Sequence, residues 1–153
     1  MNEELSYDHS GMDLTEDAEA LRLTAYPDPG TGGVPWTNGY GHTGPDVFEG
    51  QVIDQAQAVE WLRADIAEAE AAVKHLVTIQ LTQGEYDALV DFAFNCGAGN
   101  LGHSTLLRLV NEQDWTLAND QFGLWVHGGG HVLPGLVKRR HAESVLFMDR
   151  QNA

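Results

Sequence analysis

Proline and glycine crowd one part of this chain. Pro27, Pro29, Gly30, Gly32, Gly33 and Pro35 fall in quick succession, and Gly39, Gly41, Gly44 and Pro45 follow. A helix does not run through such a stretch, because proline lacks a backbone donor and glycine gives up the most entropy on ordering. The patch at 27–45 therefore has to be turns and short extended pieces, set in a chain whose remaining periodicity is helical. Upstream of it, Leu14, Ala18, Leu21 and Ala25 recur at helical spacing behind Asp13 and Glu16, which have the spacing of a capping box. This predicts a helix over about 14–24. Within the patch, Trp36 to His42 mixes β-formers with glycine and reads as a short hairpin arm.

Downstream, Asp54 with Gln57 opens a long apolar-periodic segment that ends near Leu76. At about 1.5 Å per residue, a helix of that length is able to bridge two lobes. Thr82 with Glu85 opens the next helix, in which Tyr86, Leu89, Val90, Ala93 and Phe94 give a wide apolar face, and Gly97 and Gly99 stop it. Shorter helices are predicted near 103–111 and 115–124. A loop holding three consecutive glycines follows over Val126 to Leu133, and Pro134 then fits the first turn of a last helix reaching about Met148. The expected fold class is α+β: a small β-hairpin lobe, a larger helical lobe, a long helix joining them and a cleft between the lobes. Residues 1–12 show no period and read as a flexible N-terminal tail, leaving 13–153 as a single domain.

The net charge is −15, which argues against nucleic acid as a partner and against adhesion to an anionic surface at low salt. No apolar run approaches a membrane span, and the acidic start MNEELSYDHSGMD has neither the basic nor the apolar part of a signal peptide. The expectation is a soluble chain made in the cytoplasm with no stable membrane association. Cys96 is the sole cysteine and sits in the apolar run FAFNC, where it reads as a buried structural thiol. His127 and His131 are four apart but in a glycine-rich loop, so no metal is expected, and no cofactor either. Lys138, Arg139 and Arg140 form a basic island that reads most simply as a solvated helix face; the functional alternative is that one of them reaches Glu19 or a substrate carboxylate.

Glu19 and Asp28 carry the chemistry-bearing hypothesis. One acid lies near a helix end, and the second lies in a tight turn that brings the chain back towards it. Cleavage of a glycosidic bond wants such a pair, one carboxyl as acid and a second group across the sugar. Thr37 beyond the turn is placed to hold a water beside Asp28. His42, in GYGHT, is expected to pair with an acid on the long helix, with Asp65 as partner.

The chain resembles the phage-type lysozymes, glycoside hydrolase family 24, in their endolysin branch. The resemblance runs from about Leu14 to Phe147 and is carried by EALRLTAYPDPGTGG, WTNGYGHTGPDV, LTQGEYDALVDFAFNCGAGNL, STLLRLVN and GGHVLPGLVKRRHAE. It implies a catalytic triad of Glu19, Asp28 and Thr37, with three extra residues before Thr37 taken up in the turn GTGGVP. Glu19 would be the general acid. Asp28 with Thr37 would position water or stabilise the developing cation. His42 and Asp65 match the family's supporting pair, and Tyr26, Asn95 and Trp125 match its substrate cleft.

The implied reaction is hydrolysis of the β-1,4 bond between N-acetylmuramic acid and N-acetylglucosamine in peptidoglycan. The chain would act as a monomer that a holin releases from the host cytoplasm to the wall. A weak peptidoglycan-binding protein and a virion-associated wall-penetrating component are the alternatives on the same fold. The sequence departs from the family's usual pattern at Ala18 and Ala20 around the first acid, at Asn38 where Ile or Val is usual, and at His103 and His131 where Lys or Arg is frequent.

Overall fold

The computed structural model describes residues 1–149. The chain divides into two compact units, one formed by 1–15 with 68 onwards and the other by 16–67. Seven helices and five short strands appear among the described residues.

The smaller unit is built on an antiparallel sheet of three strands in the order β1 (Arg22–Tyr26), β2 (Thr37–Gly39) and β3 (His42–Thr43). Tyr26 faces Thr37, and Thr37 faces Thr43. The other edge of β1 is tied by Ala25 N–H to Gln51 O and by Ile53 N–H to Leu23 O, both at 2.9 Å. Helix α2 (Gln55–Leu76) covers this sheet with its first turns. Gly39 makes the close fit possible, since a Cβ there would sit 3.3 Å from the Ala58 Cβ. Ala25, Val47, Ala58, Leu62 and Ile66 form the apolar core of the unit. Asn38 is buried among them and is satisfied locally, its Oδ1 accepting the Gly39 N–H at 2.9 Å. Asp54 caps α2 as predicted, its Oδ1 accepting the Gln57 N–H at 2.8 Å.

The larger unit is organised on α3 (Gln83–Cys96), whose residues 84–93 are all buried. Thr82 and Glu85 form the full capping box that the sequence predicts, and Gly97 ends the helix at φ +98°. Helix α7 (Pro134–Phe147) packs on α3 at Gly84, where any side chain would run into the Leu146 carbonyl oxygen. Phe92, Phe122 and Phe147 meet edge to face, with ring centroids 5.2–6.0 Å apart. Helices α4 (Ala98–Gly102), α5 (Thr105–Asn111) and α6 (Trp115–Phe122) complete the unit.

The expected helix over 14–24 is not what forms. Helix α1 spans His9–Ala18, and Arg22–Tyr26 is a strand. The cap is Asp8 rather than Asp13: its Oδ1 accepts the Gly11 N–H at 3.3 Å and its carbonyl the Met12 N–H at 2.9 Å. Two further differences follow glycines. Gly97 stops α3 as expected, but Gly99 lies inside a further short helix, α4, that begins directly at Ala98. The Val126–Leu133 loop contains a hairpin of β4 (His127–Gly128) and β5 (His131–Val132), turned by Gly129 and Gly130 at φ +58° and +82°. Two central residues with positive φ are what a two-residue hairpin requires.

Residues 1–12, expected to be a flexible tail, carry specific anchors within the larger unit. Asn2 is fully buried, giving its Nδ2 to Ile79 O at 2.8 Å and taking the Leu81 N–H on Oδ1 at 2.9 Å. Tyr7 N–H donates to Glu70 Oε1 at 2.8 Å.

Candidate active site

Glu19 follows the last residue of α1 and is half-buried. Its carboxyl lies against the backbone of Gly41, where a Cβ would fall 2.7 Å from Oε2. Gly41 also has φ +77°, so glycine is required there twice over. Tyr26, on β1, is raised in pKa first by burial and then by the negative charge of Glu19, while Arg22 and the Thr37 side chain oppose the rise. Strand pairing sets the position of Thr37, since Tyr26 and Thr37 are directly opposed. Glu19, Tyr26, Thr37 and Gly41 thus share one neighbourhood.

Asp28 begins a tight turn two residues beyond Tyr26. Its Oδ1 accepts the Gly30 N–H at 2.7 Å and the Thr31 N–H at 3.2 Å, while its own N–H donates to Gly33 O at 3.0 Å. Both ends of the residue are therefore fixed, and one carboxylate oxygen is oriented by two backbone donors. The proline and glycine residues that exclude helix here also build this cradle.

His42 lies with Nδ1 2.7 Å from Asp65 Oδ2, the partner predicted for it. Two further neighbours were not predicted. Its Nε2 is 2.9 Å from Asp46 Oδ1, and its ring stacks on Trp61 at 4.4 Å between centroids. Burial opposes protonation of the imidazole, but the two carboxylates outweigh it and raise its pKa. The i,i+4 spacing from His42 to Asp46 is the sequence signal that was available for the second acid.

Asn95 and Trp125 belong to the larger unit, where both line a cavity of about 340 Å³ together with Cys96, His127, Leu136 and Arg140. Trp125 is held edge-on to Phe92 at 5.2 Å, and Asn95 Oδ1 accepts from Arg140 Nη2 at 2.7 Å. Cys96 is half-buried rather than buried, because its sulfur meets Arg140 Nη1 at 2.7 Å on the wall of this cavity.

The basic island is not a solvated face. Lys138 is exposed, but Arg139 and Arg140 are only 5% and 1% exposed. Arg139 binds both oxygens of Asp91, at 2.8 and 2.9 Å, and Thr15 Oγ1 donates to the same carboxylate at 2.7 Å. With that hydrogen committed, the Tyr7 hydroxyl donates to Thr15. Burial works against the charge on Asp91, but these bonds overcome it and hold its pKa below the usual range. Arg140 contacts Glu143 at 2.6 Å through Nε without hydrogen-bond alignment, and at 3.0 Å through Nη2 with it. A helix turns about 100° per residue, so Arg139 and Arg140 share the inner side of α7 while Lys138 faces out.

The fold is lysozyme-like: a helix end and a tight turn each present a carboxylate beside a small antiparallel sheet, and a separate helical unit is built on α3. A family model described as phage lysozyme matches residues 16–143. The endolysin of Bacillus phage B103 is 40% identical over 148 residues, 94% of this chain and 54% of that protein. The endolysin of Acyrthosiphon pisum secondary endosymbiont phage 1 is 41% identical over 141 residues, 90% of this chain and 94% of that one. The solved muramidase domain of SpmX from Asticaccaulis excentricus matches with a TM-score of 0.86 at 36% identity, covering 95% of this chain and 99% of that one. The chain belongs to the phage lysozyme family. It spans about half the length of the Bacillus phage relatives it matches.

Proposed function

We propose that the chain is a peptidoglycan muramidase that hydrolyses the β-1,4 bond between N-acetylmuramic acid and N-acetylglucosamine, acting as an endolysin. Glu19 protonates the leaving glycosidic oxygen. Asp28, its Oδ1 oriented by two backbone N–H groups of its turn, acts with Thr37 on the opposite side of the reaction, positioning water or stabilising the oxocarbenium-like transition state. The observation that carries this reading is the seating of the Glu19 carboxyl against Gly41 and beside the Tyr26–Thr37 pair. A surface acid has no need of such a fit. The relatives named endolysins and the muramidase domain support the same reaction.

The test is clearing of outer-membrane-stripped Gram-negative cells by wild type and by Glu19→Gln, together with identification of the reducing-end sugar in digests of purified peptidoglycan. The expected result is muramic acid at the new reducing ends and a rate at least about a hundredfold lower for the variant. Equal and zero lysis by both, with binding to sacculi retained, overturns the enzyme in favour of a wall-binding protein. Release by a separate holin, action at the wall after lysis, and a monomeric state complete the proposal. Expression with and without a holin tests the first: clearing only in its presence supports it, and clearing in its absence overturns it.

A further inference from the structure

One cation stands out on the smaller unit. Residues 16–67 carry nine acidic residues and two basic ones, Arg22 and Arg63. Arg22 is exposed, and no hydrogen bond or ion pair to a carboxylate is found for it among the described residues. Its guanidinium instead lies over the ring of Tyr26, 4.8 Å from the centroid. Tyr26 is the residue that faces Thr37 across the strand pair and feels the charge of Glu19. The face of the sheet that presents Thr37 therefore continues through Tyr26 to an Arg.

That Arg is preorganised. Contact with an aromatic ring restricts the guanidinium, and a guanidinium is the group that takes a carboxylate through two bonds. Arg22 and Tyr26 also line a recess of about 410 Å³ along β1, with Leu21 and Leu23 beside them. Both leucines are over a third exposed.

We propose that this recess is a subsite for the peptide stem of the glycan strand, with Arg22 binding a stem carboxylate and Tyr26 holding the Arg in place. This rests on the muramidase reading above. The sugars of that substrate are neutral amides and alcohols, and the negative charges sit on its peptides. Only the stem supplies several carboxylates to complement this exposed cation. Arg22 is thus a specificity-determining residue that leaves the chemistry at Glu19 and Asp28 untouched.

The experiment compares kcat/KM for stem-bearing glycan strands with kcat/KM for the same strands after their free carboxyls are converted to amides, in wild type and in Arg22→Gln. Wild type is expected to prefer the charged strands, and the preference to fall about tenfold in the variant, mainly through KM. Because the readout is a ratio within one preparation, loss of folded protein cancels. An unchanged ratio overturns the subsite. Strands stripped by an amidase carry only the lactyl carboxylate; a comparable loss on these moves the contact to the lactyl group and also overturns the stem assignment. Failure of wild type to release muramic reducing ends from any of the strands is a different result, and it overturns the muramidase reading instead.

Discussion

Glu19 and Gly41 are fitted to one another with no space for a side chain between them: a Cβ on Gly41 would lie 2.7 Å from Oε2 and 3.3 Å from Cδ of Glu19. The same glycine holds φ at +77°. Gly41→Ala therefore meets two separate penalties, a backbone strain of about 1 kcal/mol and displacement of the carboxyl. The second falls on activity, since a misplacement near 1 Å costs roughly a hundredfold. Gly50 supplies the control. It has φ +82° and nothing within 4 Å of a Cβ. Gly50→Ala is expected to lose similar stability in a thermal melt and to keep its lytic rate within a few-fold, whereas Gly41→Ala loses the rate.

The His42 cluster makes stability depend on pH. A raised imidazole pKa means that the folded chain holds the proton more tightly than the unfolded one. Its contribution is complete below about pH 6.5 and is lost as pH rises through the higher folded value. The Asp46 side chain is 51% exposed and that of Asp65 26%, so solvent screens the first more. Asp65→Asn is expected to lower the melting temperature at pH 6 by more than Asp46→Asn does. His42→Asn is expected to cost on the order of 1–2 kcal/mol at pH 6 and less at pH 9. Melts of the three variants from pH 5 to 9 check this; equal losses at both pH values for His42→Asn would rule it out.

Asp87 is the acid of the larger unit that burial and a neighbouring carboxyl, that of Asp8, drive towards its protonated form. Asp87 is buried, and its pKa is pushed up to about 8, first by burial and then by its hydrogen bond to Asp8 and the charge there. Asp8 moves the other way, chiefly through that same bond. The Gln83 amide, 2.9 Å from Asp87 Oδ1, opposes the upward shift without reversing it. Because Asp87 is raised, its favourable contribution is whole below about pH 4 and is lost as pH climbs through about 8. Asp87→Asn keeps an acceptor oxygen for the Asp8 and Gln83 N–H groups without a titrating proton. It is expected to unfold at higher urea than wild type at pH 9, by on the order of 1–2 kcal/mol, and to lose that advantage by pH 5. Wild type outlasting the variant at pH 9 would refute the raised Asp87 carboxyl.

Local chemistry was the readable part of this sequence. Thr82 with Glu85, Asp54 with Gln57, and Pro134 each announce a helix start through groups that act within one turn, and each does so in the structure. Segment 19–26 misled for a physical reason. Leu21, Leu23 and Ala25 alternate as a strand does, while Leu21 and Ala25 also fit a helical stripe, and pairing with Thr37–Gly39 decides between them. That pairing is non-local and leaves no mark in the segment itself. The site shows the same division. Glu19, Asp28, Thr37 and the His42–Asp65 pair were named from the sequence and its family resemblance, and Trp61 and Asp46 around His42 were not. The burial of Arg139 was equally hidden, because its partner Asp91 lies 48 positions away.

The clamp that Asn2 makes with Ile79 and Leu81 has a bearing on biosynthesis. The two bonds span 77 and 79 positions, so Asn2 is synthesised long before its partners exist. Residues 16–67 are complete in sequence by themselves and have everything their sheet needs once Ala67 has emerged. Asn2 cannot take up its buried position until Ile79 and Leu81 have been made, which puts this clamp among the later native contacts of the larger unit to become available.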